Sequence, residues 1–311
     1  MSYSKQFRVK PGSEVDLGKV DAGFTDKHES HEHALPEIEI YTQKLHDLQY
    51  LMYAEGKRSL LICLQGRDAA GKDGTINHVL GAMNPQGCTV TGFKVPSKEE
   101  AAHDFLWRYH QHTPAKGQVA IFNRSQYEDV LVVRVHDMVP KQVWSARYAQ
   151  INDFEKTLAD NGTHILKFYL HIDPEEQLAR FRQRIEDPAR HWKISEGDYA
   201  ERPFWDAYTE AFQDALSKTS TEHAPWFVIP SNHKWFRNLA VSRIVAETLE
   251  SLGMKFPEPT VDIDEIKQKY HAIVEEEGGG DAQPVEEPKK EKKKGSGKKK
   301  KKGSGKKKKK G

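Results

Sequence analysis

The sequence has few cysteines and no long apolar run. Only Cys63 and Cys88 occur among 311 residues, too few for the disulfide framework of a small secreted domain. Both fall at predicted strands, so we expect buried, reduced thiols and a cytoplasmic protein. No apolar stretch predicts a signal peptide or a membrane span, so we expect no membrane partner.

The chain also lacks a large net charge, but only because a basic part and an acidic part nearly cancel. The formal charge is +2, yet residues 289–311 hold fifteen Lys and one Glu. Residues 1–288 hold 33 basic and 45 acidic residues, so the body is acidic and the tail is basic. Nothing in the acidic body resembles a module that reads nucleic acid, so we expect no specific nucleic-acid partner. Two Gly-Ser-Gly spacers separate the lysine blocks, which suits an engineered appendage as well as a native tail.

The strongest motif is residues 66–75, Gly-Arg-Asp-Ala-Ala-Gly-Lys-Asp-Gly-Thr. An apolar run at 59–64 precedes it and predicts a buried strand. A helix is predicted to follow, because apolar residues recur at helical spacing: Ile76, Val79, Leu80 and Met83. Strand, glycine loop and helix are the context of a phosphate-binding loop, in which backbone N–H groups and a lysine contact phosphates. A chance glycine turn is the alternative.

The loop departs from the usual motif at one position. Asp73 follows Lys72, where a Ser or Thr hydroxyl would normally hold Mg²⁺. We therefore expect the metal to be held elsewhere, and Asp68 is the nearest carboxylate.

Strands and helices alternate along the chain, which predicts a parallel sheet with right-handed crossovers. We predict a P-loop kinase-like, three-layer α/β fold with about five mostly parallel strands, helices on both faces and a helical lid insertion. The predicted strands are residues 59–64, 88–95, 118–122, 164–172 and 226–230. The predicted divisions are a polar N-terminal extension at 1–35, the kinase domain at 36–256 with its lid at about 174–220, a helix at 257–277, and a disordered acidic, then Lys-rich tail at 278–311.

Two further clusters are candidates for function. Residues 123–129 end the third predicted strand, where ligands gather in open α/β sheets; a solvated loop is the alternative. Arg180, Arg182 and Arg184 precede a hinge at 187–188, and we interpret this stretch as a lid that closes over phosphates. A solvated helix face would explain the same arginines. His28, His31 and His33 lack partner ligands and predict a solvated extension rather than a metal site.

Taken together, these stretches resemble polyphosphate kinases of family 2, from about Pro36 to Leu252. The resemblance includes residues 66–74, Arg124-Ser125 with Tyr127, the lid stretch from Asp187 to Asp198, and finally Trp205 and Tyr208. Many members have Asp-Arg-Ser where this chain has Asn123-Arg124-Ser125. That departure, with the acidic pair after Tyr127, resembles the class III branch, which phosphorylates both AMP and ADP.

The resemblance implies transfer of a terminal phosphoryl group from inorganic polyphosphate to AMP or ADP, reversibly, with Mg²⁺, or Mn²⁺ in its place. It implies AMP, ADP and ATP as ligands, and we expect a homo-oligomer. It implies catalytic roles for Asp68, Lys72, Arg124 and Arg184, with Asp68 as the metal ligand. The phosphate- and nucleotide-binding residues it implies are Gly66, Arg67, Ala69, Ala70, Gly71, Asp73, Gly74, Lys94, Asn123, Tyr127, Glu128, Arg134 and Lys193.

Two other functions remain open at this point. An ATP-dependent nucleoside monophosphate kinase shares the loop and the lid, although it would normally carry Ser or Thr after Lys72. A non-catalytic polyanion-binding protein would account for the lysine tail but not for the phosphate loop. Formation of ATP from AMP or ADP and polyphosphate, without added ATP, separates these functions.

The basic tail generates a prediction of its own. Removing residues 289–311 should raise KM for long polyphosphate at low salt, because a tethered polycation raises the local concentration of a polyanion. Steady-state kinetics of the full-length and truncated chains should converge at several hundred millimolar salt, where the Debye length is roughly 3–5 Å. Equal KM values at low salt would make the tail an appendage.

Overall fold

A five-stranded, all-parallel sheet organises the chain, and the computed structural model describes residues 2–277 apart from the side chain of Leu80. The strand order is β2-β3-β1-β4-β5. The strands are β1 Ser59–Gly66, β2 Cys88–Gly92, β3 Val119–Asn123, β4 Thr163–His171 and β5 Trp226–Pro230. The predicted α/β class and the predicted five strands are confirmed. Strand β2 ends three residues before its predicted end, at the residue before the buried Phe93.

Helices cover both faces of this sheet. They are α1 Tyr3–Gln6, α2 His31–Glu55, α3 Lys72–Gly81, α4 Lys98–Ala101, α5 Trp107–His110, α6 Val132–Val135, α7 Lys141–Asp160, α8 Pro174–Glu186, α9 Glu196–Ala200, α10 Trp205–Thr219, α11 Lys234–Ser251 and α12 Ile263–Glu276. Short 3₁₀ helices lie at Leu17–Lys19, Pro85–Gly87, Gln126–Asp129, Pro188–Lys193 and Arg202–Phe204. None of the helices within residues 2–277 is long and apolar enough to cross a membrane.

The alternation of side chains along β1 explains the three layers. Leu60, Ile62 and Leu64 pack into a core shared with α2, α3 and α11. Leu61 and Cys63 point to the other face and pack beside α7. Successive strand residues face opposite sides, so a strand with helices on both sides is apolar throughout. This is why residues 59–64 read as one continuous apolar run.

The N-terminal residues are not the solvated extension that we expected. Tyr3 is fully buried and Val9 and Leu17 are nearly so. Backbone bonds join Val9 N to Trp226 O and Val228 N to Phe7 O, so the segment covers the outer edge of β5. Covering an edge strand satisfies its backbone groups. The apolar residues of this segment have no helix or strand period, which is why the sequence pattern missed them.

Two helices begin with capped N-termini. Helix α2 begins at His31, where the Ser30 side chain accepts from the His33 N–H. Ser97 forms a capping box with Glu100 at the start of α4, which ends at Ala101, and Trp107 begins the separate helix α5. The cysteines are free, Cys63 buried and Cys88 partly so.

Residues 258–277 belong to a second compact unit that contains α12. Asp262 caps this helix, and its apolar residues Ile263, Ile266, Tyr270 and Ile273 are exposed. The predicted disorder of residues 278–311 falls outside the described residues.

A buried ion pair lies under the end of β3. Lys167 on β4 and Glu155 on α7 are both fully buried, with 2.6 Å between Nζ and Oε2. Lys167 also donates to the Tyr127 hydroxyl and to the Thr219 carbonyl, and Tyr127 and Gln126 donate to Glu155 Oε1. Every charged atom of the pair thus has a partner, as burial requires. The pair joins the turn after β3 to α7 and to the end of α10.

We predict that Lys167→Met lowers the free energy of unfolding by about 3–5 kcal/mol, because it leaves Glu155 buried and uncompensated. The matched control is Lys156→Met, which removes an exposed pair with Asp160 and should cost less than about 0.5 kcal/mol. Denaturant unfolding measures both. Equal losses of unfolding free energy in the two variants would contradict a larger contribution from the buried pair than from the exposed one.

Candidate active site

The phosphate loop connects β1 to α3 at the carboxyl edge of the sheet. Ala69 has φ +62° and Gly71 has φ +105°, left-handed conformations that turn the chain sharply before the helix begins at Lys72. The N-terminus of α3 therefore faces the loop opening and favours an anion there. The Thr75 hydroxyl is buried and donates to the Gly71 carbonyl, so it does not replace the missing Ser or Thr.

Two buried arginines hold the carbonyl side of this loop. Arg180 Nη1 donates to the carbonyls of Ala69 and Ala70, at 2.8 and 3.1 Å. Arg237 Nη1 donates to Ala70 O at 3.1 Å, and burial, then the neighbouring Arg180, lowers the pKa of Arg237 to about 9. A Cβ on Gly71 would lie 1.8 Å from Arg237 Nη1, so only glycine fits. Ala70 N–H donates to Arg67 O within the loop. With the carbonyls bonded on the inside, the other loop amides are left for a ligand.

Lys72 bends back over the loop. Its Nζ donates to Gly66 O at 2.7 Å and to Arg67 O at 3.2 Å. Burial lowers the pKa of Lys72, and Arg124 adds to the effect. An anion in the loop would favour the charged form, so phosphate and the lysine cation are suited to bind each other.

Arg124 comes into contact with the loop because β3 lies beside β1 in parallel. Its backbone N–H donates to Leu64 O, and its φ is +63°. The guanidinium donates to Asp68 at 3.1 Å and to Glu128 at 3.2 Å. Burial disfavours the charged form, but Glu128 and Asp68 outweigh it and raise the pKa of Arg124. Backbone strain held at such a position is common at functional sites.

Two predicted neighbours of Arg124 have different surroundings. Asn123 donates to Asp73 at 2.8 Å and so lies at the loop. Tyr127 is fully buried in the network of Lys167 and lines neither cavity described below.

Arg134 and Lys94 line neither of the two cavities described below. Arg134 pairs with Asp214 at 2.6 Å, stacks on Trp144 and lines a separate cavity beside residues 12–15. The family resemblance implied it as a binding residue, but helix α6 carries it toward Asp214 on α10. Lys94 is exposed, and only its carbonyl has a described bond, from Arg108.

The three predicted lid arginines have different partners. Arg180 lies under the loop, whereas Arg182 is exposed and pairs with Glu186. Arg184 Nη1 donates to Asp198 at 2.5 Å and to Lys193 O at 3.2 Å. Arg180 and Arg184 are four residues apart, so they share a face of α8 and both line the phosphate cavity described below, while Arg182 lies on another face. We keep the name lid for residues 187–204, the part of the predicted stretch at about 174–220 that lies between α8 and α10.

Two cavities meet at the loop. The phosphate cavity, about 490 Å³, is lined by the loop, the lid and the start of α11: Asp68, Ala69, Gly71, Lys72, Asp73, Gly74, Asn123, Arg124, Arg180, Gln183, Arg184, Arg190, Trp192, Lys193, Asp198, Lys234 and Arg237. The lid cavity, about 280 Å³, is lined by Gln65, Gly66, Arg67, Asp68, Arg124, Glu128, Leu131, Val132, Gln177, Ser195, Gly197, Asp198, Glu201, Arg202, Trp205, Tyr208 and Phe212. Asp68, Arg124 and Asp198 line both.

The carboxylates at this junction fit a hard divalent cation. Asp68 and Asp198 border both cavities, and burial, then the charge of Asp68, raises the pKa of Asp198. Among residues 2–277 no group of three potential ligands forms a complete metal site. Mg²⁺ is commonly held by one or two carboxylates together with substrate phosphates and water, so two carboxylates are sufficient.

Sequence reasoning missed some lining residues. Lys234 and Arg237 begin α11 after β5, and Leu131 and Val132 follow the turn after β3. All four follow the carboxyl ends of strands. That position was a usable signal, because parallel strands bring those ends to one edge.

The chain is similar to known proteins along most of its length. The model of the family described as Polyphosphate kinase 2 (PPK2) matches residues 27–257. An AMP/ADP-polyphosphate phosphotransferase of Meiothermus ruber is 48% identical over 263 residues, 84% of this chain and 98% of that protein. An ADP-polyphosphate phosphotransferase of Rhodopseudomonas palustris is 45% identical over 269 residues, 83% of this chain and 93% of that protein.

A solved structure has the same fold. The crystal structure of Polyphosphate Kinase 2 from Arthrobacter aurescens TC1 superposes with a TM-score of 0.84 at 41% identity. The match covers 88% of this chain and 97% of that one.

Proposed function

The chain belongs to the polyphosphate kinase 2 family, and we propose that its two cavities bring a polyphosphate end and a nucleotide phosphate together at Asp68, Arg124 and Asp198. As a member of this family it is a polyphosphate-dependent nucleotide kinase, a phosphotransferase. The assignment of each cavity and each residue is the proposal. We carry over both AMP and ADP as acceptors from the name of the Meiothermus relative.

The observation that carries the proposal is the difference in charge between the cavities. The phosphate cavity has eight basic lining residues against three acidic ones. The lid cavity has three basic and four acidic residues, together with apolar and aromatic side chains. A polyanion is favoured in the first, whereas a nucleoside with one or two phosphates suits the second. The residues common to both cavities would surround the transferred group.

The reaction then needs positioning and charge neutralisation rather than a strong base. A phosphate oxygen of the nucleotide attacks the terminal phosphorus of polyphosphate, and the bridging P–O bond breaks. The shortened polyphosphate leaves with the bond's electron pair. The attacking oxygen is already ionised at neutral pH, which agrees with the absence of a histidine among the lining residues described. Lys72, the loop N–H groups and Arg124 would neutralise charge on the transferred group.

A divalent metal is implied by the family, and Mg²⁺, or Mn²⁺ in its place, is our proposal. When bound, it would supply positive charge that neutralises the phosphates. Asp68 and Asp198 would hold it. Arg184 donates to Asp198 and so holds this carboxylate at the junction of the two cavities. In the proposed site Arg184 positions Asp198 and also contacts phosphate.

The alternatives are separated by one assay. Polyphosphate with AMP or ADP, and no added ATP, should give ATP. A requirement for ATP as donor would favour a nucleoside monophosphate kinase, and binding of polyphosphate without turnover would favour a polyanion-binding protein. The homo-oligomer stays a prediction.

We predict that Lys72→Ala lowers kcat by about a hundredfold or more, because Lys72 neutralises charge that develops in the transition state. Steady-state kinetics with an unfolding curve check this. Lys57→Ala is the control, since Lys57 is exposed and precedes β1 at the opposite edge of the sheet. Near-normal turnover in a folded Lys72→Ala enzyme would contradict the proposed role.

The assignment of the cavities gives a second prediction. Lys193→Ala removes a cation from the phosphate cavity only, and should raise KM for polyphosphate by about three- to tenfold while KM for AMP and ADP changes little. Val132→Phe narrows the lid cavity only, and should raise KM for AMP and ADP while KM for polyphosphate changes little. Kinetics with each substrate varied in turn measure the two effects. Equal effects on both substrates in either variant would refute the division.

A further inference from the structure

Arg67 lies within the phosphate loop, but its side chain points away from the phosphate cavity. It lines the lid cavity instead. Its Nη2 donates to the Trp205 carbonyl at 2.8 Å and to the Thr209 hydroxyl oxygen at 2.5 Å. The guanidinium carbon lies 3.7 Å from the centre of the Trp205 ring. The Arg67 side chain therefore binds the first turn of α10, which directly follows the lid.

The loop is also connected to the other end of the lid. Gln177 on α8 donates from Nε2 to the Asp68 carbonyl at 2.9 Å. Arg202, near the end of the lid, donates to Gln177 Oε1 at 2.6 Å. Adjacent loop residues 67 and 68 thus contact the helix that follows the lid and the helix that precedes it. Opening the lid by moving α10 would break the contacts of Arg67 with Trp205 and Thr209.

The geometry requires an arginine. A guanidinium can lie flat on an aromatic ring and donate hydrogen bonds in its own plane at the same time. A lysine can supply the charge but not both contacts. The Thr209 hydroxyl, while it accepts from Arg67, also donates to the Trp205 carbonyl, so the three groups form one set of bonds.

We propose that Arg67 is a positioning residue that holds α10 against the phosphate loop, rather than a phosphate ligand. This proposal rests on the proposed function, because it concerns how the lid of that site is held. While Arg67 bonds to α10, Asp198 of the lid and its partner Arg184 lie at the junction of the cavities. If these bonds break, the loop keeps its own arginine supports, Arg180 and Arg237, and polyphosphate still binds.

The test combines hydrogen exchange of lid amides in residues 188–204 with steady-state kinetics. The variants are Arg67→Met, Arg67→Lys and Thr209→Val, and the control is Arg182→Met, an exposed arginine of α8 paired with Glu186. Arg67→Met should speed lid exchange without substrate and lower kcat by about ten- to a hundredfold, the scale of misplaced reacting groups. KM for polyphosphate should change by less than about twofold, because the loop supports remain. Arg67→Lys should recover little of this loss, and Arg182→Met should match the parent.

Thr209→Val should also speed lid exchange and lower kcat, but by less than Arg67→Met does. Combining the two substitutions should lower kcat no further than Arg67→Met alone. If Arg67→Met does not fold, the lid exchange of Thr209→Val alone decides. Unchanged lid exchange in the variants would overturn the proposal. So would a large rise in KM for polyphosphate that Arg67→Lys restores, since that marks a phosphate ligand. Lid exchange needs no substrate, so failure of the proposed function would appear separately, as a parent enzyme without polyphosphate-dependent turnover.

Discussion

The structure depends on one constraint: the phosphate loop must keep most of its amide groups free while its carbonyl groups are bonded. Arg180 and Arg237 meet this constraint from beneath, with bonds to the carbonyls of Ala69 and Ala70. Buried backbone groups must find partners, and cations are the strongest donors available. Because Arg180 and Arg237 are cations, they also add positive charge beneath the loop.

The parallel sheet makes a second contribution. Because β3 runs beside β1 in the same direction, Arg124 emerges next to Asp68, 56 residues away along the chain. The buried pair of Lys167 and Glu155 anchors the turn that follows Arg124, through Tyr127 and Gln126. The buried polar network around Lys167 and the charged cluster around Arg124 are therefore connected. Tyr127 belongs to the buried network and not to the charged cluster.

Much of the fold followed from local patterns. Both faces of β1 are buried between helical layers, which produces the continuous apolar run from which the strand was predicted. The fifth strand, 226–230, has its predicted bounds. The N-terminal segment was misjudged because Tyr3, Val9 and Leu17 have no common period. Their burial depends on α11 for Tyr3, on the open edge of β5 for Val9 and on α10 for Leu17, none of which a local window contains.

The sequence by itself determined the loop, its lysine, the missing hydroxyl after it and the family, because each of these depends on residue types at short fixed spacings. Only the tertiary structure decided what each arginine does. Arg67, Arg180 and Arg184 all resembled phosphate ligands in the sequence, yet one contacts α10, one supports the loop and one pairs with Asp198. The direction of a long side chain is set by the acceptors around it, and here those acceptors come from parts of the chain as far as 142 residues away.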